Sequence, residues 1–502
     1  MLSTALAIFI CSFAISWISV RITRNIARAH GWVAAIRGDR WHSQATPLFG
    51  GAGIAVALLV ALALARGFIN EFRDATSANA SLAVALIVGS IGAAVAGLCD
   101  DLLHFRPGKK LAAQCGCACA FLWICGGIEV TGSAPVDSVL CMLWIVTVMN
   151  AVNMLDNMDG VAGTAVTIGF GGVAFANWMV APSSFVFCVA VIAMGVTAGF
   201  LAQNLPRARI FMGDCGSLLL GFLLATLVLI GMRPAEGATA HGVLVVSQGW
   251  TVTMVAAIGF AFVPLVDMAV VSLARIRRGQ SPMTGGRDHT THRLAGMGFS
   301  GNSIVAIVAL VAATSATIAA IAVAGFIGLF AGCAILIIGY GVAVTSGLLM
   351  LVRADAKDSQ ISVADVPHRL AAFTPFAKLV IDVMLIATSL NIGYLIRWEY
   401  EIPPELANSL AWSLPIALAC CVSVNALAGV YWSRWRATSA TRWVELRRGV
   451  LSAALGALIT VILVSALWSP DRLFSRLAMG MFAIGYPAII VAIRIALNVG
   501  RG

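Results

Sequence analysis

The amino-acid sequence predicts an all-α, polytopic integral membrane protein with about 15 transmembrane helices. The mean hydropathy is +0.95, and only 11% of the 502 residues are charged. Apolar runs recur from one end of the chain to the other, as a helical membrane protein requires. Because these runs are continuous and do not alternate with polar residues, they exclude a transmembrane β-barrel.

Each predicted helix corresponds to one apolar run. At a rise of about 1.5 Å per residue, each run can cross a hydrocarbon core of about 30 Å. The approximate centres of the runs are residues 11, 57, 89, 118, 146, 170, 194, 223, 260, 313, 338, 387, 419, 458 and 486. No charged segment precedes the first run and no cleavage site follows it. We therefore expect a retained first helix and not a signal peptide.

Basic residues predict the orientation of these helices. The net charge is +10, and six loops hold 24 of the 32 Lys and Arg residues. These loops cover residues 21–40, 106–110, 207–209, 275–293, 353–378 and 434–448. The positive-inside rule places them in the cytoplasm of a bacterial inner membrane, with the N-terminus periplasmic and the C-terminus cytoplasmic. The charge is thus a topology signal that can also attract anionic lipid, and we expect no binding of nucleic acid.

The chain divides into two predicted membrane parts. The strongly polar segment "RADAKDSQISVADVPHR" predicts a cytoplasmic linker over 353–373, between a first domain at 1–352 and a four-helix bundle at 374–502. Most of the twelve cysteines lie within apolar runs, so we expect no disulfide framework. Gly169, Gly171 and Gly172 indicate close helix packing and not a nucleotide-binding loop.

Acidic, amide and histidine residues collect in five loops on the predicted cytoplasmic side. Charged groups held near lipid are costly unless they face water, a partner or a metal. The outside loops carry no comparable set. The residues are His42 and Thr46, then Asp100, Asp101 and Lys110, then Asn153, Asp156 and Asp159, then Asp214, and last His289 and His292.

The spacing within these loops indicates a site for a cation and for phosphate. Adjacent helical residues diverge by about 100°, so Asp100 and Asp101 can face different ligands. Asp214 lies between Gly213 and small residues, where a phosphate could approach the backbone closely. Several carboxylates without a thiolate cluster favour a hard cation, Mg²⁺ or Mn²⁺. Each motif alone could be an ordinary solvated helix end, but five motifs on one face favour an active site.

Four motifs, in order, resemble the polyprenyl-phosphate N-acetylhexosamine-1-phosphate transferases over about residues 1–345. "WHSQATPLFGG" resembles the family's His-x-x-x-Thr-Pro-x-x-Gly-Gly loop, and "DDLLHFRPGKKLAAQ" its aspartate pair followed by Lys-x-x-x-Gln. "NAVNMLDNMDG" is similar to Asn-x-x-Asn-x-x-Asp-x-x-Asp-Gly, and "FMGDCGS" to Gly-Asp-x-Gly-Ser.

Two positions depart from the family pattern. The family's histidine loop usually reads His-x-His-His, whereas this chain has His289-Thr290-Thr291-His292, so Thr291 replaces a histidine. The usual Asp-Gly-x-Asp-Gly is here "DNMDG", with Asn157 in place of the first glycine. The histidine loop is associated with the choice of sugar nucleotide, so the departures leave the sugar open.

The resemblance implies a reaction and a role for each residue. A UDP-N-acetyl sugar and undecaprenyl phosphate would give a lipid-diphosphate sugar and UMP, initiating lipid-linked glycan and polysaccharide synthesis. Asp214 would bind Mg²⁺ with one of Asp100 or Asp101. The other aspartate would take a proton from a monoanionic lipid phosphate, whereas a dianion would need no base. The nucleotide or its phosphates would contact the remaining residues, namely Asn153, Asp156, Asp159, Lys110, His289, His292, His42 and Thr46.

The last four helices resemble the membrane portion of polysaccharide-biosynthesis proteins that carry a nucleotide-sugar dehydratase domain. No Rossmann glycine motif follows in this sequence, so the resemblance implies no dehydratase activity. A non-catalytic bundle that supports homo-oligomers or docks glycan-assembly partners is the expected role. The main alternative for the whole chain is a transporter of an anionic or lipid-linked solute, which would place charged residues near mid-helix.

Overall fold

The computed structural model describes residues 2–33, 46–128, 133–180, 184–231, 256–277, 279–282, 286, 288–296, 298–323, 382, 385–386, 389–390, 393, 404–430, 439–466 and 476–499. These residues form helices and connecting turns, with one isolated β-bridge between Val33 and Pro47. Nine of the described helices are long and apolar enough to cross a membrane. The predicted all-α polytopic fold is confirmed, while the number of about 15 spans stays a prediction because the run near residue 338 lies outside the described residues.

The first compact unit, residues 1–325, contains twelve described helices. They are α1 (Leu2–Ala29), α2 (Gly50–Phe68), α3 (Asn70–Ala78), α4 (Ala80–Leu103), α5 (Pro107–Ile124), α6 (Ala134–Leu155), α7 (Val161–Val180), α8 (Phe185–Asn204), α9 (Gly213–Gly231), α10 (Phe262–Arg277), α11 (Thr290–Gly296) and α12 (Gly301–Val323). The short polar helix α3 lies between the predicted runs near residues 57 and 89 and was not predicted. Most of the other helices in this unit coincide with predicted apolar runs.

Helix α9 lies at the centre of the first unit. It packs against α2, α4, α6, α7 and α8, and every residue from Cys215 to Ile230 is buried. A helix that is apolar on all sides is stable only inside a larger core or within a membrane. Its N-terminal end, which carries the half-buried Asp214, lies among the ends of neighbouring helices.

The outer helices present apolar side chains away from this core. On α4, Val84, Val88, Ile91 and Val95 are exposed at spacings of three and four residues, which places them on one face. In an aqueous protein such a stripe would be a docking surface, but on a membrane-spanning helix it is the surface that meets lipid.

Glycines allow the close helix contacts that the sequence predicted. A Cβ added at Gly172 of α7 would lie 2.7 Å from the Cβ of Ala316 on α12, and one at Gly169 would lie 2.7 Å from the carbonyl oxygen of Phe260. Both distances are shorter than a normal van der Waals contact. The packing interpretation of these two glycines is therefore confirmed.

The second compact unit, residues 326–502, contains α13 (Pro404–Leu427), α14 (Ser439–Ala466) and α15 (Arg476–Val499). Helix α14 packs against both α13 and α15. Gly456 of α14 approaches Cys421 of α13 so closely that a Cβ would lie 2.8 Å from its Cα. The predicted linker at 353–373 lies outside the described residues.

Candidate active site

A lysine ammonium joins four helix ends at the centre of the candidate site. The Nζ atom of Lys110, in the first turn of α5, lies 2.9 Å from Oδ2 of Asp100 at the end of α4. It also donates to Oδ1 of Asn153 near the end of α6, at 2.9 Å, and to Oδ2 of Asp214 at the start of α9. Four residues that lie far apart in the sequence thus converge on one cation.

Asn153 fixes the second oxygen of Asp214. Its Nδ2 atom donates to Oδ1 of Asp214 at 2.6 Å and lies 2.8 Å from Oγ of Ser217. Both carboxylate oxygens of Asp214 therefore have defined partners, and the side chain is held in one orientation. Sequence reasoning missed Ser217, although its place three residues after Asp214 puts it on the same face of α9.

The aspartate pair divides between two tasks. Oδ1 and Oδ2 of Asp101 accept the backbone N–H groups of Asp214 and Cys215, at 2.9 and 3.0 Å. A carboxylate at this position satisfies two free donors of the first turn of α9 and interacts favourably with its dipole. Asp100 points elsewhere, to Lys110 and to the N–H of Phe105, which it accepts at 2.8 Å. This divergence is the one expected for adjacent helical residues.

Gly213 makes room for this arrangement. Its φ of +71° lies in the left-handed region, which residues with a Cβ rarely adopt. A Cβ there would lie only 2.7 Å from Oδ2 of Asp101. The glycine of the "GDCGS" motif thus lets the capping carboxylate reach the start of α9.

A second polar contact between α5 and α6 lies one turn deeper than Lys110. Gln114 and Asn150 exchange two amide hydrogen bonds, of 3.3 and 2.8 Å, and Gln114 is fully buried. The Lys-x-x-x-Gln spacing on α5 and the Asn-x-x-Asn spacing on α6 each place two polar side chains about one turn apart on the same face. The two pairs therefore meet each other between the helices. This pair fixes the register of the two helices that carry Lys110 and Asn153.

The acidic loop begins directly after α6, where Asp156 is half-buried. Burial, together with the negative charges of Asp214, Asp101 and Asp159, raises the pKa of Asp156 to about 7. Several negative charges therefore lie close together in this loop, which follows the membrane-spanning part of α6. Such a concentration of carboxylates stabilises a cation that enters the site.

The end of the acidic loop is attached to the loop before α9. Oδ2 of Asp159 accepts the backbone N–H of Ala208 at 2.9 Å. Gly160 adopts a left-handed φ of +74°, and its N–H donates to Oδ1 of Asn204 at 3.0 Å. The chain can therefore turn sharply from α6 into α7 while keeping Asp156 and Asp159 near Asp214.

The histidine segment is held by a buried carboxylate. Oδ2 of Asp267 lies 2.8 Å from Nδ1 of His289, and Oδ1 accepts both the N–H and the hydroxyl of Thr290, at 2.9 and 2.6 Å. Asp267 is 1% exposed. This contact orients the His289 ring and places its Nε2 on the side opposite Asp267. The rings of His289 and His292 are 6.0 Å apart.

An ion pair supports the loop that leads to these histidines. Arg275 donates to both oxygens of Asp288, from Nε at 3.1 Å and from Nη2 at 2.7 Å. Burial alone would raise the pKa of Asp288, but the hydrogen bonds and charge of Arg275 outweigh it and hold that pKa below its usual range. Sequence reasoning missed this pair and the Asp267–His289 contact, whose members lie 13 and 22 residues apart.

The loop before α2 lies against the loop before α9. The N–H of Phe211 donates to the carbonyl of Pro47 at 2.9 Å, and the N–H of Gly50 donates to the carbonyl of Phe211 at 2.8 Å. Thr46 is buried beside this contact. The structure therefore brings Thr46 to the same group of loops, while His42 lies outside the described residues.

The donor atoms around Lys110 are suited to a hard cation. Among the described residues, no three His, Cys, Asp or Glu side chains form a metal cluster by themselves. Asp100, Asp214 and Asn153 nevertheless direct three oxygens at one ammonium. Mg²⁺ usually takes only one or two protein carboxylates and completes its shell with water and substrate phosphates. The oxygens present therefore fit Mg²⁺.

Comparisons with known proteins identify relatives of the first unit. Residues 83–232 match the family model described as glycosyl transferase family 4. A decaprenyl-phosphate N-acetylglucosaminephosphotransferase of Mycolicibacterium smegmatis is 29% identical over 324 residues, which cover 59% of this chain and 75% of the relative. A Bacillus subtilis protein, named a probable undecaprenyl-phosphate N-acetylglucosaminyl 1-phosphate transferase, is 27% identical over 303 residues, covering 58% and 77%.

A third relative carries a less specific name. A Streptomyces coelicolor protein, named only as a glycosyltransferase, is 32% identical over 274 residues, which cover 53% of this chain. The chain spans 59% of the length of that relative. Together with the other matches, it confirms the resemblance that the four sequence motifs indicated.

Proposed function

We propose that this chain, whose residues 83–232 match the model of glycosyl transferase family 4, transfers a sugar-1-phosphate from a UDP-sugar to a polyprenyl phosphate. The sugar would be an N-acetylhexosamine, the acceptor undecaprenyl phosphate, and the second product UMP. The observation that supports this best is the convergence of Asp100, Asp214 and Asn153 on Lys110. These residues come from four helix ends, where a lipid from the bilayer and a nucleotide from water can both arrive.

Lys110 has the position needed to bring two anions together. Its ammonium has three donors, and in this structure they are directed at Asp100, Asp214 and Asn153. A phosphate oxygen that enters the site can replace one of these acceptors. Lys110 then offsets part of the repulsion between the lipid phosphate and the diphosphate of the donor.

Asp214 would hold Mg²⁺, with the Asn153 amide oxygen beside it. When bound, the ion would offset the charge of the diphosphate and stabilise the departing UMP. Asp101 has a different role in this proposal, because both of its oxygens accept N–H groups of α9. It positions Asp214 and does not act as the base.

Proton transfer, where the reaction needs it, falls to Asp100. A lipid phosphate that binds as the dianion needs no base. One that binds as the monoanion must lose a proton, and Asp100 is the member of the pair whose Oδ2 faces the Lys110 ammonium at the centre of the site.

The nucleotide would lie between the acidic loop and the histidine segment. Asn153, Asp156 and Asp159 line one side, and His289 and His292 line the other. Since Asp267 orients His289 through Nδ1, its Nε2 can donate to a phosphate oxygen or to the uracil. Thr46 and His42 would contribute from the loop before α2.

The site would open to the cytoplasm of a bacterial inner membrane, since UDP-sugars are made there and the basic loops share its side. The second unit would mediate the formation of homo-oligomers or the binding of glycan-assembly partners.

Lipid-dependent UMP release tests the proposal. Full-length protein in lipid nanodiscs is given a panel of UDP-sugars with and without undecaprenyl phosphate and Mg²⁺, and UMP is quantified by chromatography. We expect UMP only when the lipid phosphate and an N-acetylhexosamine donor are both present. Uptake of a labelled solute into vesicles without UMP formation would instead support the transporter.

A further inference from the structure

The two positions that depart from the family's motifs contact each other. Oγ1 of Thr291 donates to Oδ1 of Asn157 at 2.5 Å, although 134 residues separate them. Thr291 is 1% exposed. Asn157 lies between Asp156 and Asp159 in the acidic loop, and Thr291 lies between His289 and His292 on α11. One hydrogen bond therefore ties the two sides of the proposed nucleotide site together.

From this contact, we infer that Asn157 and Thr291 are a coupled pair of positioning residues that sets the distance between the histidines and the acidic loop, and so the affinity for the sugar nucleotide. The inference rests on the proposed function. Neither residue needs to touch the substrate. The pair acts through His289 and His292 on one side and through Asp156 and Asp159 on the other.

The surroundings of the pair show that the hydrogen bond has a defined geometry. Nδ2 of Asn157 donates to the carbonyl of Met154 at 3.1 Å, so the amide is held from both ends. Below it, Leu294 and Ala295 of α11 pack against a buried apolar cluster that includes Leu155 and Met158. The apolar contacts therefore place α11 against the loop, and the hydrogen bond fixes its position along the loop.

Burial explains why the two replacements are compatible with each other in this chain. A glycine at position 157 would remove the acceptor and leave the buried Thr291 hydroxyl without its partner. A histidine at position 291 would need far more space than threonine, and the Asn157 amide lies in that direction. A large ring beside glycine and a small hydroxyl beside an amide are thus two ways of filling one gap, whereas the mixed combinations leave it overfilled or empty.

The pair also changes the chemistry of the histidine segment. An imidazole at position 291 would titrate near neutral pH, while a threonine hydroxyl does not. The link in this chain is therefore neutral across the physiological range. The segment keeps His289 and His292 as its imidazoles, and its attachment to the acidic loop does not depend on their protonation.

A double-mutant cycle tests the coupling. Thr291→Val keeps the shape and removes the hydroxyl, Asn157→Ala removes the acceptor, and Thr291→Ser is the matched control that keeps the hydroxyl. We expect Thr291→Val to raise the KM for the sugar nucleotide about fivefold, the ratio expected for one lost hydrogen bond, with kcat changed less than about twofold. Thr291→Ser should stay close to wild type, and the Val/Ala double variant should be no worse than either single variant.

Introducing the residues that the family motifs usually have at positions 291 and 157 provides a second test. Thr291→His alone should lower kcat/KM by more than about tenfold because the ring overfills the gap. Adding Asn157→Gly should recover a substantial part of that loss. If the effects of Thr291→Val and Asn157→Ala multiply in the double variant, or if folded Thr291→Val has wild-type KM, the inference is overturned.

A binding measurement separates this inference from the proposed reaction. Titration calorimetry with UDP-N-acetylglucosamine on the full-length variants follows affinity without turnover. If the variants show coupled losses of affinity while the wild type binds the probe but releases no UMP, the result would support the pair and contradict the proposed reaction. Uncoupled losses, or a wild type with no affinity for the probe, would overturn the pair.

Discussion

Both compact units bury a carboxylate among hydrogen-bond donors, but the two carboxylates have different partners and different access. In the first unit, Asp214 contacts the charged Lys110, and its side chain is 29% exposed. In the second unit, Asp382 is 6% exposed and accepts hydrogen bonds from two neutral side chains, Asn425 and Tyr486. Asn425 also donates to the Tyr486 hydroxyl at 2.8 Å, which closes a buried triad.

This difference distinguishes a carboxylate that can take part in a reaction from one that stabilises the packing of helices. A carboxylate that is accessible, charged and matched with a cation can exchange that cation for a substrate or a metal. A carboxylate that is closed off from the surface and hydrogen-bonded to other helices specifies how those helices fit together, because breaking the network leaves a buried group unpaired. We therefore expect substitutions in the first unit to affect turnover and those in the triad to affect stability.

Asp214→Asn should give the largest effect. It keeps the shape of the side chain but removes the charge that faces Lys110 and the proposed metal, so UMP release should fall on the order of 10²-fold or more. Thermal stability without Mg²⁺ should be unchanged or slightly raised, because the repulsion between Asp214 and the acidic loop is relieved while Lys110 keeps Asp100 and Asn153 as partners. Mg²⁺ should raise the Tm of wild type more than that of the variant.

Asp382→Asn is the matched control for this substitution. The same chemical change in the second unit should leave kcat within about twofold of wild type, since no step of the reaction involves it. A variant at Asp214 that keeps near-wild-type turnover would show that the accessible carboxylate is not part of the active site.

Asp101→Asn should give a smaller loss of activity and a clear loss of stability. The amide can accept from only one of the two N–H groups at the start of α9, so we expect a cost of about 1 kcal/mol. Activity should fall roughly tenfold through misplacement of Asp214. Thermal melting in EDTA distinguishes Asp101 from Asp214, because the Asp101→Asn variant should have a lower Tm and the Asp214→Asn variant should not. An Asp101→Asn variant with wild-type Tm and a 10²-fold loss of activity would make Asp101 a catalytic group.

Tyr486→Phe should affect the second unit alone. It removes the hydroxyl that donates to Asp382 and keeps the ring stacked on Phe482. We expect a loss of about 1–2 kcal/mol in stability, with turnover per folded molecule unchanged. Melting curves and UMP release on the same purified sample check both parts. A fall in kcat without a change in Tm would assign a catalytic role to the triad.

Asp156→Asn should give the smallest effect, visible in the dependence of stability on pH. An ordinary aspartate loses its proton near pH 4, whereas the folded protein holds that of Asp156 until about pH 7. Between these values the folded state binds more protons than the unfolded state, so stability decreases as pH rises. In EDTA, wild-type Tm should fall by a few degrees between about pH 5.5 and 8.

The variant should show a shallower fall over the same range, because its amide does not titrate. Parallel wild-type and variant slopes would mean that the pKa of Asp156 is not raised in the folded protein.

Much of the fold could be predicted from the sequence because lipid requires every spanning backbone to be helical. The loop motifs also predicted that Asp100, Lys110, Asn153 and Asp214 share one side of the membrane, and the structure brings these four into direct contact. Helix α3 was not predicted, since its nine residues are polar and too short for a span.

The division of labour within the site could not be predicted in the same way. Adjacency on a helix shows that Asp100 and Asp101 diverge, but only the approach of α9 decides which one caps it. The partner of His289 is Asp267, 22 residues earlier and within an apolar run. The contact between Asn157 and Thr291 spans 134 residues, and no local pattern encodes a hydrogen bond at that separation.

The most direct test of the central claim is the requirement of wild-type protein for a divalent cation. Full-length protein is incubated with undecaprenyl phosphate and its best UDP-sugar, in Mg²⁺ or in excess EDTA, and UMP is measured over time. The Asp100–Lys110–Asp214 site predicts that EDTA lowers the rate to the level of Asp214→Asn and that added Mg²⁺ restores it. Equal UMP release in excess EDTA would contradict metal-assisted phosphoryl transfer at this site.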